Sequence, residues 1–152
     1  LCLDIIGNKF KTLYNNYFDR VVMNPPYFSE RKVNTSENIE IATARCETES
    51  TLEDWVKIAY KKLAPKGYLN FIFRTESIDK VLTILSPKWG DIRIYPLWPN
   101  AEKASKLFII QARKNVKTES KLLPGMILHN DNGTYTNACN DVLLNRDLVQ
   151  ME

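Results

Sequence analysis

Apolar positions along this chain switch between helical and strand-like spacing, and each switch marks an element. Ile6, Phe10, Leu13, Tyr14 and Phe18 recur at helical intervals and predict a helix over residues 5–18, weakened by Gly7 and by asparagines. Asp19-Arg20 then leads into Val21-Val22-Met23, a short apolar strand that stops abruptly at Asn24-Pro25-Pro26-Tyr27. Residues 28–50 are polar and aperiodic and read as a long loop, a feature that inside a domain is usually functional or mobile. Thr51 is the N-cap of the next helix, with Glu53 and Asp54 in the first turn, where acid suits the helix dipole. Leu52, Val56, Ala59, Tyr60 and Leu63 form its apolar face, and Ala64-Pro65-Lys66-Gly67 ends it, because Pro65 cannot continue a helix and Gly67 accepts a turn.

A strand is predicted over Tyr68–Phe73, a helix over Glu76–Leu85, and strands over Ile92–Trp98 and Lys106–Ala112. The tail predicts a hairpin of Met126–His129 with Tyr135–Thr136 around Asp131-Asn132-Gly133, and a short helix from Asn140 onward. This alternation indicates an α/β domain with a largely parallel sheet.

Composition adds bounds. At 152 residues and 44% hydrophobic the chain is the size of one domain with a sizeable core. No apolar run approaches the roughly 20 residues that span a bilayer, so no membrane association is expected. Nothing at the start reads as a secretion leader. Cys2, Cys46 and Cys139 are odd in number and scattered, which argues against a disulfide framework and fits a reducing, cytoplasmic setting. His129 is the only histidine and no ligand cluster accompanies it, so no metal is expected.

The net charge of +3 hides an asymmetry. Residues 56–121 carry fourteen Lys/Arg against five Asp/Glu, while both flanks are acidic. This basic block, with Lys57, Lys61, Lys62, Lys66, Lys88, Arg93, Lys103, Lys106, Arg113, Lys114 and Lys117 among its members, suits either a polyanionic partner or a solvated surface.

Asn24-Pro25-Pro26-Tyr27 carries the chemistry. Two prolines remove two backbone donors, so nearby carbonyls point outward without competing amides. A strand ending this way presents the Asn24 amide and the Pro25 carbonyl at the C-terminal edge of a parallel sheet, where open α/β folds bind ligands. The amino group of adenine, or the amide of glutamine, is a poor nucleophile because its lone pair is delocalised. Two acceptors that each hold one N–H direct that lone pair at an electrophile and support the positive charge that develops. Tyr27 offers a flat face for an unpaired base. The electrophile that suits such a site is the methyl group of S-adenosylmethionine.

Phe18-Asp19-Arg20-Val21-Val22-Met23-Asn24-Pro25-Pro26-Tyr27-Phe28 resembles the catalytic strand and loop of class I amino-methyltransferases. The resemblance is greatest to the bacterial tRNA (adenine-N6)-methyltransferases that modify the base beside the anticodon of a valine tRNA. Ala44-Arg45-Cys46-Glu47, Leu63-Ala64-Pro65-Lys66-Gly67, Ala104-Ser105-Lys106-Leu107 and Leu128–Thr136 also look familial.

The resemblance implies catalytic roles for Asn24, Pro25, Pro26 and Tyr27. It implies cofactor contacts at Asp4, Ile5 and Asn24, with S-adenosylmethionine as cofactor. Phe28, Arg31, Lys32 and Arg45 become the expected tRNA contacts. The implied fold is part of the Rossmann-like methyltransferase sheet, strands 4-5-7-6 of seven, with the strand corresponding to Lys106–Ala112 antiparallel. The family's glycine-rich loop has no counterpart, since Gly7, Gly67, Gly90, Gly125 and Gly133 are all far apart.

The expectation is therefore that residues 1–152 are the C-terminal, substrate-facing part of one methyltransferase domain, beginning at a cut and inactive alone. Its first strand becomes an open edge that pairs with another chain or a second copy, is covered by the N-terminal segment, or is disordered. Three alternatives stand beside adenine methylation in tRNA: methylation of a glutamine amide in a release factor, adenine methylation in DNA, and a non-catalytic RNA-binding remnant.

Overall fold

The computed structural model describes residues 14–27, 51–145, 147–149 and 151. Strand β1 (Phe18–Met23) is followed by helix α1 (Leu52–Lys62), β2 (Leu63–Arg74), a 3-10 turn (Thr75–Ser77) and α2 (Ile78–Leu85). Then come β3 (Trp89–Trp98), β4 (Leu107–Lys114), the two-residue strands β5 (Lys121–Leu122) and β6 (Met126–Ile127), and α3 (Asn137–Leu144). The sheet order is β1-β2-β4-β3-β5, with β6 also on β3. β1 and β2 are parallel, and β4 runs antiparallel to both β2 and β3. The four long strands thus keep the order expected for strands 4-5-7-6, and the fold is α/β as predicted.

One face of the sheet and the two helices form the core. Leu69, Phe71 and Phe73 of β2 and Phe108, Ile110 and Ala112 of β4 alternate inward against Val56, Ala59, Val81 and Leu85. Thr51 caps α1 as predicted: its hydroxyl accepts from the Asp54 N–H, and the Asp54 carboxylate accepts from the Thr51 N–H at 3.0 Å. The alternate β2 positions carry Tyr68, Asn70 and Ile72 to the second face. There Gln111 donates to Asn70 Oδ1 at 2.9 Å, and the buried Asn70 Nδ2 has no partner among the described residues.

Three sequence expectations are corrected. First, Tyr14–Tyr17 is not helical: Tyr14 and Asn16 have positive φ, and Phe18 already belongs to β1. Residues 5–13 of that predicted helix lie outside the described residues.

Second, Leu63–Gly67 is not a turn after the helix but a bulge inside β2. Phe18 faces Leu63 and Arg20 faces Tyr68, so five steps of β2 oppose two of β1. Pro65 leaves the helix as expected, yet its missing N–H is tolerated where a ladder is already interrupted. The left-handed residue is Lys66, at φ 65°. Gly67 serves close approach instead, since a Cβ there would lie 3.1 Å from the Asp19 carbonyl.

Third, the tail hairpin reduces to one antiparallel bridge, His129 with Tyr135, because Met126–Ile127 pairs in parallel with Leu97–Trp98. The last helix starts at Asn137, with Thr136 as its N-cap.

The basic block is also not uniformly solvated. Lys62 and Lys114 are 3% and 4% exposed. Lys114 Nζ donates to Asn16 Oδ1, the Tyr60 carbonyl and the Leu63 carbonyl, each at 2.7 Å. The Asn16 and Tyr17 amides donate to the Lys61 and Lys62 carbonyls at 2.9 Å. The orphan carbonyls at the end of α1 are therefore satisfied from outside the helix. Arg93 is held by Asp91 at 3.0 Å.

β1 occupies an end of the sheet, with β2 on one side and no strand on the other among the described residues. Val22 on this edge strand is 75% exposed. No helix of the described residues is long and apolar enough to cross a membrane, and no cluster of three His, Cys, Asp or Glu is present among them.

Candidate active site

Parallel pairing decides where the proline motif lands. Met23, the last residue of β1, faces Phe71, and β2 continues to Arg74. The chain leaving β1 therefore turns against the last residues of its neighbour. Pro25 is fully buried and fixes the turn, while Asn24 and Pro26 stay exposed. Tyr27 is half-buried, with its ring 5.4 Å from that of Phe73 in an edge-on contact and the Arg74 guanidinium carbon 5.5 Å from its centre. Its hydroxyl donates to Asn24 Oδ1 at 3.4 Å, a long contact that nonetheless orients the amide.

This geometry suits an amine. The exposed Asn24 oxygen retains a lone pair for a substrate N–H, because a carbonyl oxygen accepts twice. The buried titratable lysines, Lys62 and Lys114, lie at the opposite edge of the sheet, where burial pushes both below the ordinary lysine value.

Among the sequence-predicted site residues, Asn24, Pro25, Pro26 and Tyr27 come together as one turn. Asp4, Ile5, Phe28, Arg31, Lys32 and Arg45 lie outside the described residues. Two participants escaped the sequence reading. Arg74 covers one face of the ring expected to receive a base. Ser105 links the loops behind it, with its hydroxyl 3.2 Å from that of Thr75 and 3.0 Å from the Leu97 carbonyl. The available signal was topological: residues ending adjacent parallel strands meet at one edge.

For S-adenosylmethionine, the described residues fit the amine side of the transfer and contain no glycine cradle. Gly67 and Gly90 pack against backbone within the sheet, Gly125 against the Pro96 carbonyl, and Gly133 forms an open turn.

No family model matches the chain. It is 41% identical over 69 residues to the tRNA1(Val) (adenine(37)-N6)-methyltransferases of Actinobacillus pleuropneumoniae serotype 5b (strain L20) and serotype 7 (strain AP76). The match takes in 45% of this chain and spans 28% of the length of each of those proteins. Among solved structures, a predicted O-methyltransferase from Agrobacterium tumefaciens superposes with a TM-score of 0.67 over 86% of this chain and 53% of that one. At 20% identity this likeness concerns the fold. The chain is thus similar, over part of its length, to the tRNA1(Val) (adenine(37)-N6)-methyltransferases, and in fold to a predicted O-methyltransferase.

Proposed function

We propose that the chain provides the amine-presenting part of an S-adenosylmethionine-dependent methyltransferase acting on the N6 amino group of an adenine in tRNA. The observation that carries this reading is the exposed Asn24 amide, oriented by Tyr27 at the C-terminal end of β1. When bound, S-adenosylmethionine supplies an electrophilic methyl carbon. Asn24 Oδ1 and the Pro25 carbonyl accept the two N–H bonds of the adenine amine. That grip turns the nitrogen lone pair toward the methyl group and stabilises the growing positive charge on nitrogen. The ring of Tyr27, backed by Arg74 and Phe73, sets the plane in which the base sits. Phe28, Arg31, Lys32 and Arg45 belong to this proposal as RNA contacts, and Asp4 and Ile5 as cofactor contacts.

A labelled-methyl assay of the full protein on tRNA, duplex DNA and a release factor tests it. Label is expected in tRNA, and Asn24→Ala is expected to reduce transfer by about 100- to 1000-fold, the usual loss when one preorganised stabilising group is removed. Label in a glutamine of the release factor would transfer the reading to the amide. Undiminished transfer by Asn24→Ala would remove the proposed mechanism.

A further inference from the structure

β1, β2, β3 and β6 all run in one direction, so the segments leaving their C-terminal ends collect along one edge of the sheet. Contacts join them into a continuous rim. Tyr27 rests on Phe73, and the Thr75 N–H donates to the Lys106 carbonyl at 3.0 Å. Ser105 links Thr75 to the end of β3. Beyond it, the Leu128 N–H donates to the Trp98 carbonyl at 2.8 Å, and the His129 N–H to the Pro99 carbonyl at 3.1 Å.

At the far end of this rim two aromatic rings stack. His129 and Tyr135 lie 4.9 Å apart at 26°, with Tyr135 48% exposed. His129 Nδ1 is 3.1 Å from the Pro99 carbonyl, which can only accept, so Nδ1 donates to it and holds the ring in place. The turn between the rings is fixed from within: Asn130 Nδ2 donates to the Tyr135 carbonyl at 3.1 Å, Asn132 Oδ1 accepts from the Thr134 amide, and Gly133 takes φ 82°. Neither ring joins the core. Between this stack and Tyr27 lie exposed Lys103 and Lys106, with Glu102 beside them, and Arg74 in a surface pair with Glu76.

We infer that this rim is an RNA track, in which the His129–Tyr135 stack receives a second unpaired base while Lys103 and Lys106 meet phosphates. Four strand spacings separate the two ends, about 19 Å. Exposed aromatic faces with cations between them are how single-stranded RNA is held without a groove to read. The inference rests on the reading of the substrate as RNA.

Fluorescence anisotropy of the full chain with a labelled anticodon-arm hairpin, and with a fully paired RNA duplex, tests it. Tyr135→Ala is expected to weaken hairpin binding by roughly 5- to 100-fold, Tyr135→Phe to bind like wild type, and the duplex to be indifferent to both. Tyr135→Leu, which keeps bulk without a π face, is expected to fail like Tyr135→Ala. Hairpin binding that survives Tyr135→Leu, or absent wild-type hairpin binding, overturns the track, as does equal loss on duplex and hairpin. Methyl transfer to tRNA with kcat/KM unmoved by Tyr135→Ala sinks the track and leaves the proposed function standing. Tyr135-dependent hairpin binding with methyl appearing only in protein does the reverse.

Discussion

The Lys114 ammonium lies 4.4 Å from the centre of the Tyr60 ring and donates to the Tyr60 carbonyl at 2.7 Å, tying the end of β4 to the last turn of α1. Removing it strands the carbonyls of Tyr60 and Leu63 together with the Asn16 amide oxygen. Lys114→Met is expected to lower stability by about 2–4 kcal/mol, the cost of a few unsatisfied polar groups, and urea denaturation measures it. An unchanged midpoint would show that water replaces the ammonium.

The same lysine makes stability depend on pH. Burial pushes its pKa below the ordinary value, its acceptors notwithstanding, and Lys62 is pushed the same way. Between the lowered folded-state value and about 10.4, the unfolded chain holds more protons, so stability increases with pH. Tyr95, whose hydroxyl burial pushes up, opposes this only above about 10. The Cys139 thiol, also pushed up by burial, opposes it from about 8.5 in both proteins. The urea midpoint is therefore expected to change more in favour of the folded state from pH 8 to pH 10 in wild type than in Lys114→Met. Equal slopes in the two proteins would count against the assignment.

Gly90 begins the bulge at which β3 loses register with β4, and a Cβ there would lie 2.1 Å from the Val116 carbonyl oxygen. The obstruction is backbone and cannot swing aside. Gly90→Ala is expected to cost about 2 kcal/mol or more, read as a lowered melting temperature. A melting temperature within a degree or so of wild type would mean the Val116 segment moves freely.

Tyr27 touches both Asn24 and the core. Tyr27→Phe keeps the ring contacts with Phe73 and Arg74 and loses the donor to Asn24. In the full protein it is expected to lower kcat by about three- to tenfold with KM nearly unchanged, in keeping with a long hydrogen bond worth about 1 kcal/mol. Tyr27→Leu is expected to raise KM as well. Equal kinetics for the two variants would separate the hydroxyl from the orientation of Asn24.

Cys139 is buried in α3, and its thiol is pushed above the ordinary value by that burial. At pH 8 it is expected to alkylate more slowly than a free model thiol, as followed by peptide mass spectrometry. Rapid labelling would place α3 away from the sheet.

What was legible in the sequence follows from how local each cause is. The Asn24–Tyr27 turn was legible because two prolines after an apolar strand admit few conformations, and Thr51 because a capping box is closed within four residues. Leu63–Gly67 was misread because Pro65 and Gly67 fit a turn and a bulge equally well; only the pairing with Asp19 and Arg20 selects the bulge. Tyr14 and Phe18 keep helical spacing, yet the open carbonyls of Lys61 and Lys62 capture the Asn16 and Tyr17 amides. Lys62 and Lys114 looked solvated because nothing in a lysine announces a partner 50 residues away. Arg74 became visible as a site residue only once two strand ends were placed side by side.

The pairing of Phe18 with Leu63 also sets an order of events during synthesis. The motif strand leaves the ribosome 45 positions ahead of its partner, an interval of roughly 2–9 s at the usual 5–20 residues per second. Throughout it, β1 lacks the β2 ladder that it joins in the folded chain. The Asn24–Tyr27 turn is thus made before the end of β2 against which it rests. Pulsed hydrogen exchange during refolding should show β1 amides gaining protection after the β2–β4 ladder.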